Sequence, residues 1–335
     1  MKTTIYDVIR DYIANGKTGT IATIVSKDGS SPRNTGAKMF VGEDEKVYET
    51  IGGGGLEYKV QKHAIKSIGN DEPQLMEIRL DSEEVGSDGD ICGGVVEVFL
   101  EPVLEKHAEV YQRIDHLEKN GEKGIFITSF NGKYQKTLLE EDMSITGDSI
   151  RLDDNSFFQS NINQLQPRLM DETLIETIHP SPILYLFGAG HVSQFISPLA
   201  DTVGFQVVVI DDREEFANKK RFPNANKLII KDFKDVFNQL NFTGEEYVVI
   251  VTRGHQFDKD VLEESLKKET KYLGMIGSRT KVKMILEYMK ECGYDEEKVD
   301  GVHSPIGLSI SAETPQEIAV SIVAEMIQVR REKSE

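Results

Sequence analysis

Residues 183–212, ILYLFGAGHVSQFISPLADTVGFQVVVIDD, read as a strand, a glycine turn, a helix and a second strand. The apolar run over 183–187 has the length and composition of a buried parallel strand. Gly188-Ala189-Gly190 follows, then a helical pattern over about 192–203, then an apolar run over 207–210 that ends in Asp211 and Asp212. In a doubly wound sheet the first glycine makes the tight turn. The second lets backbone N–H groups approach a pyrophosphate at the helix N-terminus. Gly188, Gly190 and His191 are therefore candidate cofactor contacts. Ser193 stands where the fingerprint has its third glycine, and is small enough to keep helix and strand close. Asp211 comes 23 residues after Gly188, near the spacing of about 20 for the acid that holds a ribose hydroxyl. The alternative is an empty Rossmann-like scaffold, because a fold does not by itself carry a function.

A chain of 335 residues is long enough for two domains, each burying its own core. Their expected extents are 1–180 and 181–335. The formal net charge of −18 speaks against general binding to nucleic acid or anionic membrane. It also means that an anionic ligand must be held locally, by glycine turns, helix N-termini and a few arginines. The chain shows no apolar run of the roughly 20 residues that a membrane span needs. It enters an amphipathic pattern directly after Thr4, so no secretory signal is expected. The two cysteines, Cys92 and Cys292, do not suggest a disulfide framework, and a cytoplasmic location fits them. Nor can they supply the four thiolates of an iron–sulfur cluster or a structural zinc site.

In the first domain, residues 3–14 have helical periodicity and residues 20–25 and 38–41 the β-branched content of strands. The loop between them holds Ser30, Ser31 and Arg33. It reads either as a plain turn segment or as a polar loop offered to an oxyanion. Gly52, Gly53, Gly54 and Gly55 are costly to order, and a helical pattern begins straight after them, with His63 on its apolar side. Glycines opening a helix free N–H groups for an anion. Glu57, in the first turn, also suits the helix dipole. Cys92 precedes Gly93 and Gly94 at the start of a strand over 95–100. It reads either as an approachable thiol favoured by neighbouring N–H groups or as a small core residue. Cys292, at a helix end, reads as structural. A helix is expected over 103–119 and short strands over 125–130, 134–139 and 149–158, giving a β-rich part at about 120–160. Residues 160–182 read as a connector. The segments GTIATIVSKDG and GIFITSFNGK are faintly alike.

Beyond Asp212 the alternation continues, with strands at 227–230, 247–251 and 272–276 and helices at about 232–240, 258–269 and after Ser278. The residues just past such strand ends face the ligand crevice. Here these are Arg253 and His255 after one strand and Ser278, Arg279 and Lys281 after another. His255 and Asp258 are spaced to pair, or His255 simply caps a helix. Thr314 and Pro315 open a final helix.

Taken together, GSSPRNTGAKM, IGGGGLE and CGGVVEVFLEP in the first domain resemble the XdhC/CoxI family, the accessory proteins of xanthine dehydrogenase and related molybdenum hydroxylases. So do LFGAGHVS, VIDDREEFANKKRFPNA, VTRGHQFD, LGMIGSRTK and GLSISAETPQEIAVSIVAEMI in the second. Residues 105–180 carry none of these motifs. The resemblance implies an α/β chain with an N-terminal mixed α/β XdhC/CoxI domain and a C-terminal Rossmann-like doubly wound parallel sheet. It further implies a non-catalytic protein that binds molybdenum cofactor (molybdopterin), protects it while its sulfido ligand is installed, and delivers it to an apo molybdenum hydroxylase. A cysteine desulfurase as sulfur source and a homodimer go with that picture. Cys92 matches the cysteine of the family's CGG motif and becomes the candidate contact with cofactor or sulfur donor. Ser193 and Ser311 replace glycines of the family pattern, and Arg253 stands where the family often has histidine. Family members are sometimes labelled xanthine dehydrogenase, but two cysteines do not provide that reaction's iron–sulfur ligands. Two other readings use the same Gly188, Gly190 and Asp211. One is an oxidoreductase with a dinucleotide such as NAD in the crevice, and the other a nucleotide-sensing regulator.

Overall fold

A helix, three antiparallel strands, a second helix and two more strands open the chain, and the same series then occurs again. The computed structural model describes residues 4–29, 33–80, 94–149, 154–164, 166–179 and 181–332. It divides the chain into two compact units, residues 2–180 and 181–335.

In the first unit, α1 (Ile5–Ala14) leads to β1 (Gly19–Gly29), β2 (Lys38–Gly42), β3 (Val47–Glu49), α2 (Gly54–Ser67), β4 (Gln74–Arg79) and β5 (Gly94–Pro102). Then α3 (Ala108–Asn120) leads to β6 (Gly124–Ser129), β7 (Gln135–Glu140), β8 (Ile145–Gly147), α4 (Asp154–Asn161), β9 (Arg168–Met170) and β10 (Thr173–Ile178). The two sheets have one topology, β3-β2-β1-β5-β4 and β8-β7-β6-β10-β9. The faint likeness of the segments at Gly19 and Gly124 is thus the trace of a structural repeat. Tyr6 and Tyr111, Gly19 and Gly124, and Thr23 and Thr128 are all separated by the same 105 positions.

Local sequence explains where the first repeat begins. Thr4 caps α1 and exchanges hydrogen bonds with Asp7, each at 3.1 Å, so two orphan N–H groups are satisfied. Ile5, Val8, Ile9 and Tyr12 then fall on one buried face. That face shares a core with α3 and with both sheets, including Ile21, Phe40, Ile114, Phe126 and Leu138. Tyr6 and Tyr111 stack at its centre, their centroids 6.4 Å apart.

The repeats are also tied by swapped ion pairs. Thr23 faces Lys38 on β2, and its equivalent Thr128 faces Lys136 on β7. Glu101 faces Ile21, and its equivalent Glu176 faces Phe126. Each lysine bonds its own threonine, at 2.9 and 3.1 Å, but pairs with the glutamate of the other repeat. Lys38 meets Glu176 and Lys136 meets Glu101, both at 2.6 Å.

Several elements differ from the sequence expectation. Within 149–158 the described residues begin the helix α4 rather than a strand, and Phe158 is buried against Ile125 and Ile127. The stretch 160–182 is not merely a connector. Its β9–β10 hairpin joins the second sheet, with β10 between β6 and β9. Flanking prolines disguise it, and only the long-range pairing with β6 reveals it. The short β3 and the largely polar β4 carry too little pattern to be read.

The second unit is one parallel sheet in the order β13-β12-β11-β14-β15. It is made by β11 (Ile183–Phe187), β12 (Gln206–Asp211), β13 (Lys227–Ile230), β14 (Tyr247–Ile250) and β15 (Tyr272–Met275). The helices are α5 (His191–Thr202), α6 (His255–Leu266), α7 (Arg279–Glu291), α8 (Glu296–Asp300) and α9 (Pro315–Arg331). One face carries α5 and α9, where Ile196, Ile322 and Met326 pack on Leu184, Leu186, Val207 and Val209. The other carries α6 and α7, where Val261, Leu262, Val282 and Met289 pack on Phe187, Ile210, Val248 and Ile250. Burial on both faces is why these strands read as unbroken apolar runs. The helix expected at 232–240 is only a 3-10 turn over Asp235–Gln239. Thr314 and Glu317 form a capping box at the start of α9, with Pro315 in its first turn. Among the described residues, no helix is long and apolar enough to cross a membrane.

Candidate functional site

Strand register gathers the motif loops of the first unit at one end of its first sheet. Gly29 at the end of β1 pairs with Gly94 at the start of β5. Met39 near the start of β2 pairs with Glu49 at the end of β3. The strand ends that flank 30–37, 50–53 and 81–93 therefore lie at the same end of the sheet. In the second repeat the matching connections, 130–134 between β6 and β7 and 171–172 between β9 and β10, are short. The longer connections at 30–37 and 80–93 thus belong to the first repeat alone, whereas the glycine run 50–53 is no longer than its counterpart 148–153. Ser30, Ser31, Cys92 and Gly93 lie outside the described residues, and Arg33 is exposed.

The glycine run is a strained turn that needs its residue type. Gly52, Gly53 and Gly54 have φ of 133, 75 and 59°, the left-handed region where a Cβ is penalised. Gly55 lies in the first turn of α2. Glu57 folds back into this turn and accepts hydrogen bonds from the Gly53 N–H at 3.0 Å and the Thr50 hydroxyl at 2.6 Å. A carboxylate from the chain thus occupies the Gly53 N–H, and the Gly52 N–H goes to the Thr50 hydroxyl at 3.0 Å. His63 is exposed rather than packed, with Nδ1 2.9 Å from the Lys59 carbonyl oxygen. Its place in the periodic pattern falls at the edge of the apolar stripe.

In the second unit the glycine turn lies between two strand exits. Gly188 has φ of 101°, and a Cβ there would come within 2.5 Å of the Val251 carbonyl oxygen. Gly190 caps α5 without any side-chain hydrogen bond, and a Cβ on it would meet nothing within 4 Å. The α5 N-terminus is thus open to an approaching group, with His191 exposed beside it. Ser193 is buried and donates to the Gly188 carbonyl oxygen. The serine that replaces a glycine therefore holds the turn shut on its helix.

Asp211 is 1% exposed and fully engaged. Oδ2 accepts from the Ala189 N–H at 2.8 Å and Arg213 Nη2 at 3.1 Å. Oδ1 accepts from the Arg213 N–H at 3.1 Å and Arg213 Nε at 2.9 Å. The Arg213 guanidinium in turn lies 3.7 Å over the Phe216 ring. Arg221 reaches the Ala189 carbonyl oxygen at 3.1 Å. Neither arginine is singled out by motif, although both lie in the run that follows Asp211.

Asp212 and Arg253 meet through both carboxylate oxygens, Nη2 to Oδ2 at 2.8 Å. The guanidinium beside it holds the Asp212 carboxyl down at about 2. After β14, Gly254 caps α6 and His255 opens it. Asp258 is buried and accepts from the Thr252 N–H at 3.1 Å, the Thr252 hydroxyl at 2.6 Å and Lys281 Nζ at 2.5 Å. Lys281 is therefore tied to the scaffold. Ser278 caps α7 by accepting from the Lys281 N–H at 3.4 Å, and Arg279 beside it is exposed. Cys292, expected to be structural, is exposed at the end of α7.

Comparison with known proteins agrees with this layout. Residues 184–326 match the XdhC Rossmann domain, and residues 12–79 match the XdhC and CoxI family. The chain is 27% identical over 317 residues to a Bacillus subtilis protein named as a probable subunit of xanthine dehydrogenase, covering 93% of each chain. It is 21% identical over 324 residues to the molybdenum cofactor insertion chaperone PaoD of Escherichia coli, covering 96% of this chain and 87% of that protein. It is also 27% identical to the YqeB protein of Escherichia coli, but spans only 43% of that protein's length. A crystal structure described as a xanthine dehydrogenase from Bacillus halodurans superposes with a TM-score of 0.84 at 26% identity. That match covers 98% of this chain and 96% of the other. With family models matching in both of its units, the chain belongs to the XdhC and CoxI family.

Proposed function

We propose that this protein is an accessory factor of a xanthine dehydrogenase-type molybdenum hydroxylase. In this reading it binds molybdenum cofactor, shields it while the terminal sulfido ligand is installed, and passes it to the apo-hydroxylase. The observation that supports the reading is that the described flanks of the GSSPRNTG, glycine-run and CGG segments, Gly29, Met39, Glu49 and Gly94, lie at one end of the first sheet. At the glycine loop there Glu57 takes the Gly53 N–H, so an anionic ligand would displace that carboxylate or use the other N–H groups of the α2 N-terminus. The open α5 N-terminus at Gly190 supplies another seat of the same kind, suited to a phosphate of the cofactor or to a nucleotide. Ser30, Ser31, Arg33 and Gly93 are proposed contacts of the first seat. His191, Arg253, His255, Ser278 and Arg279 are proposed contacts of the second. Cys92 is assigned contact with cofactor or sulfur donor, a cysteine desulfurase is the proposed source of sulfur, and a homodimer the proposed assembly. The similarity to a protein named as a molybdenum cofactor insertion chaperone supports the role.

The test is direct. Protein isolated from molybdate-fed cells is expected to carry molybdenum and to release oxidised pterin fluorescence, and to restore activity to an apo-hydroxylase. Because Cys292 is exposed, the role of Cys92 is tested in a Cys292→Ser background. There Cys92→Ser is expected to keep the fold and lose the activation. Absence of both pterin and molybdenum would overturn the carrier reading.

A second reading, a nicotinamide-dependent oxidoreductase, is favoured by the glycine turn and parallel sheet. It requires NAD to bind and to be reduced or oxidised by the purified protein. A nucleotide-sensing regulator would bind nucleotide without pterin and without turnover.

A further inference from the structure

Arg253 and Asp212 reach each other from opposite sides of the glycine turn. In the sheet β12 and β14 flank β11, and Asp212 follows β12 while Arg253 follows β14. Neighbouring strands are about 4.8 Å apart, so the two exits are separated by roughly 10 Å across the end of β11. The side chains close that gap with a two-pronged guanidinium–carboxylate contact. Beneath them, Gly188 is hemmed in by Val251, and Ala189 is tied to Asp211. The bridge therefore crosses the sheet edge where the chain turns toward α5.

The state of Asp211 gives this bridge its significance. A carboxylate has about four lone-pair directions, and four N–H donors occupy them at Asp211. A ribose hydroxyl has no acceptor left there. The next acid outward is Asp212, whose side chain is 26% exposed and held by Arg253, itself 35% exposed with its guanidinium 4.2 Å over Phe257. Arg213 is less free to exchange partners, because its acid Asp211 is 1% exposed whereas Asp212 is 26% exposed.

We propose that Asp212 and Arg253 form an exchangeable latch over the crevice, opened by a nucleoside diphosphate group with a free ribose diol. The guanidinium transfers from the carboxylate to the ligand's phosphate, which its planar fork fits equally well. The released Asp212 carboxylate then accepts from the ribose hydroxyls. One ion pair becomes two ligand contacts, and neither charge is left without a partner. The sugar-reading acid is thus Asp212, one position beyond the residue that spacing alone selects. This inference rests on the reading of the crevice as a seat for a nucleotide or a nucleotide-bearing cofactor.

Titration calorimetry on the full chain tests it with three probes, inorganic pyrophosphate, ADP and NAD. Asp212→Ala frees Arg253 from its bidentate partner and removes the sugar acceptor. It is expected to tighten pyrophosphate binding severalfold, and to erase most of the preference for ADP over pyrophosphate. Arg253→Gln is expected to weaken both by roughly tenfold or more, the scale of losing a charged hydrogen bond, and Arg253→Lys to recover only part of it. Both positions are partly exposed, so the variants are expected to fold, which circular dichroism checks. If wild type binds ADP and both variants bind ADP and pyrophosphate as wild type does, the latch is wrong and the nucleotide reading survives. If neither wild type nor any variant binds any of the three probes, the nucleotide reading fails and the latch falls with it.

Discussion

Lys136 is a sharp place to perturb the first unit. Its ammonium group is fully buried, as is its partner Glu101 at 2.6 Å. It also bonds Thr128 and lies 4.5 Å from the Phe126 ring centre and 5.4 Å from those of Tyr111 and Tyr134. Glu101 Oε1 has no hydrogen-bond partner among the described residues, so removing Lys136 strips the carboxylate of its charge partner. Lys136→Met should then cost about 3–5 kcal/mol, the range for breaking one side of a buried pair. For a unit of this size each kcal/mol lowers the melting temperature by roughly 2–4 °C, so the shift should be roughly 6–20 °C. Scanning calorimetry is the assay, because the two units need not unfold together. The repeat supplies an internal control. Lys38→Met breaks the equivalent pair with Glu176, where the lysine side chain is 17% exposed and the glutamate 8%, and water can soften the loss. The double change Lys136→Met with Glu101→Leu should recover most of the stability, since apolar replacement of a buried pair is often near neutral. A shift below about 2 °C for Lys136→Met, well under the range expected from the size scaling, would refute the reasoning. So would an equal shift for Lys38→Met.

Burial, and then the neighbouring Asp115 charge, push Glu118 up to about 7. Its folded value exceeds the ordinary 4.5, so its contribution is fully present below 4.5 and is lost as pH rises through about 7. Glu118→Gln should therefore raise the melting temperature more at pH 8 than at pH 5, and equal gains at both would contradict this. His107 is held neutral, down to about 3, first by burial and then by Lys136 and Lys106. The unfolded chain takes up that proton first, so stability should fall as pH drops below 6.5, a loss that His107→Phe should flatten in acid melts. Gly188→Ala forces a Cβ against Val251 at a left-handed φ and should destabilise the second unit by about 1 kcal/mol or more, visible in its calorimetric transition. Gly190→Ala meets no neighbour. It should lower that transition only by the modest cost of a poorer N-cap while weakening pyrophosphate binding, a loss that calorimetric titration would detect.

Periodicity and turn chemistry carried much of this protein on their own. The parallel sheet of the second unit was legible because its strands are buried on both faces, leaving short apolar runs ended by Gly188, Asp211, Thr252 and Gly277. The capped start of α9 was legible because a capping motif is local, whereas α1 was legible as periodicity and its Thr4–Asp7 cap came from the structure. What only the tertiary structure decided involves partners far apart in the chain. The repeat shows in sequence as a few matched residues, and becomes definite when Lys38 pairs with Glu176 and Lys136 with Glu101. The β9–β10 hairpin is short, and only its pairing with β6 makes it part of a sheet. At the crevice, spacing placed an acid at the end of β12, but spacing does not count hydrogen-bond donors. Asp211 is filled by Ala189 and Arg213, and its neighbour Asp212 is the more exposed acid because it lies past the last paired residue of β12.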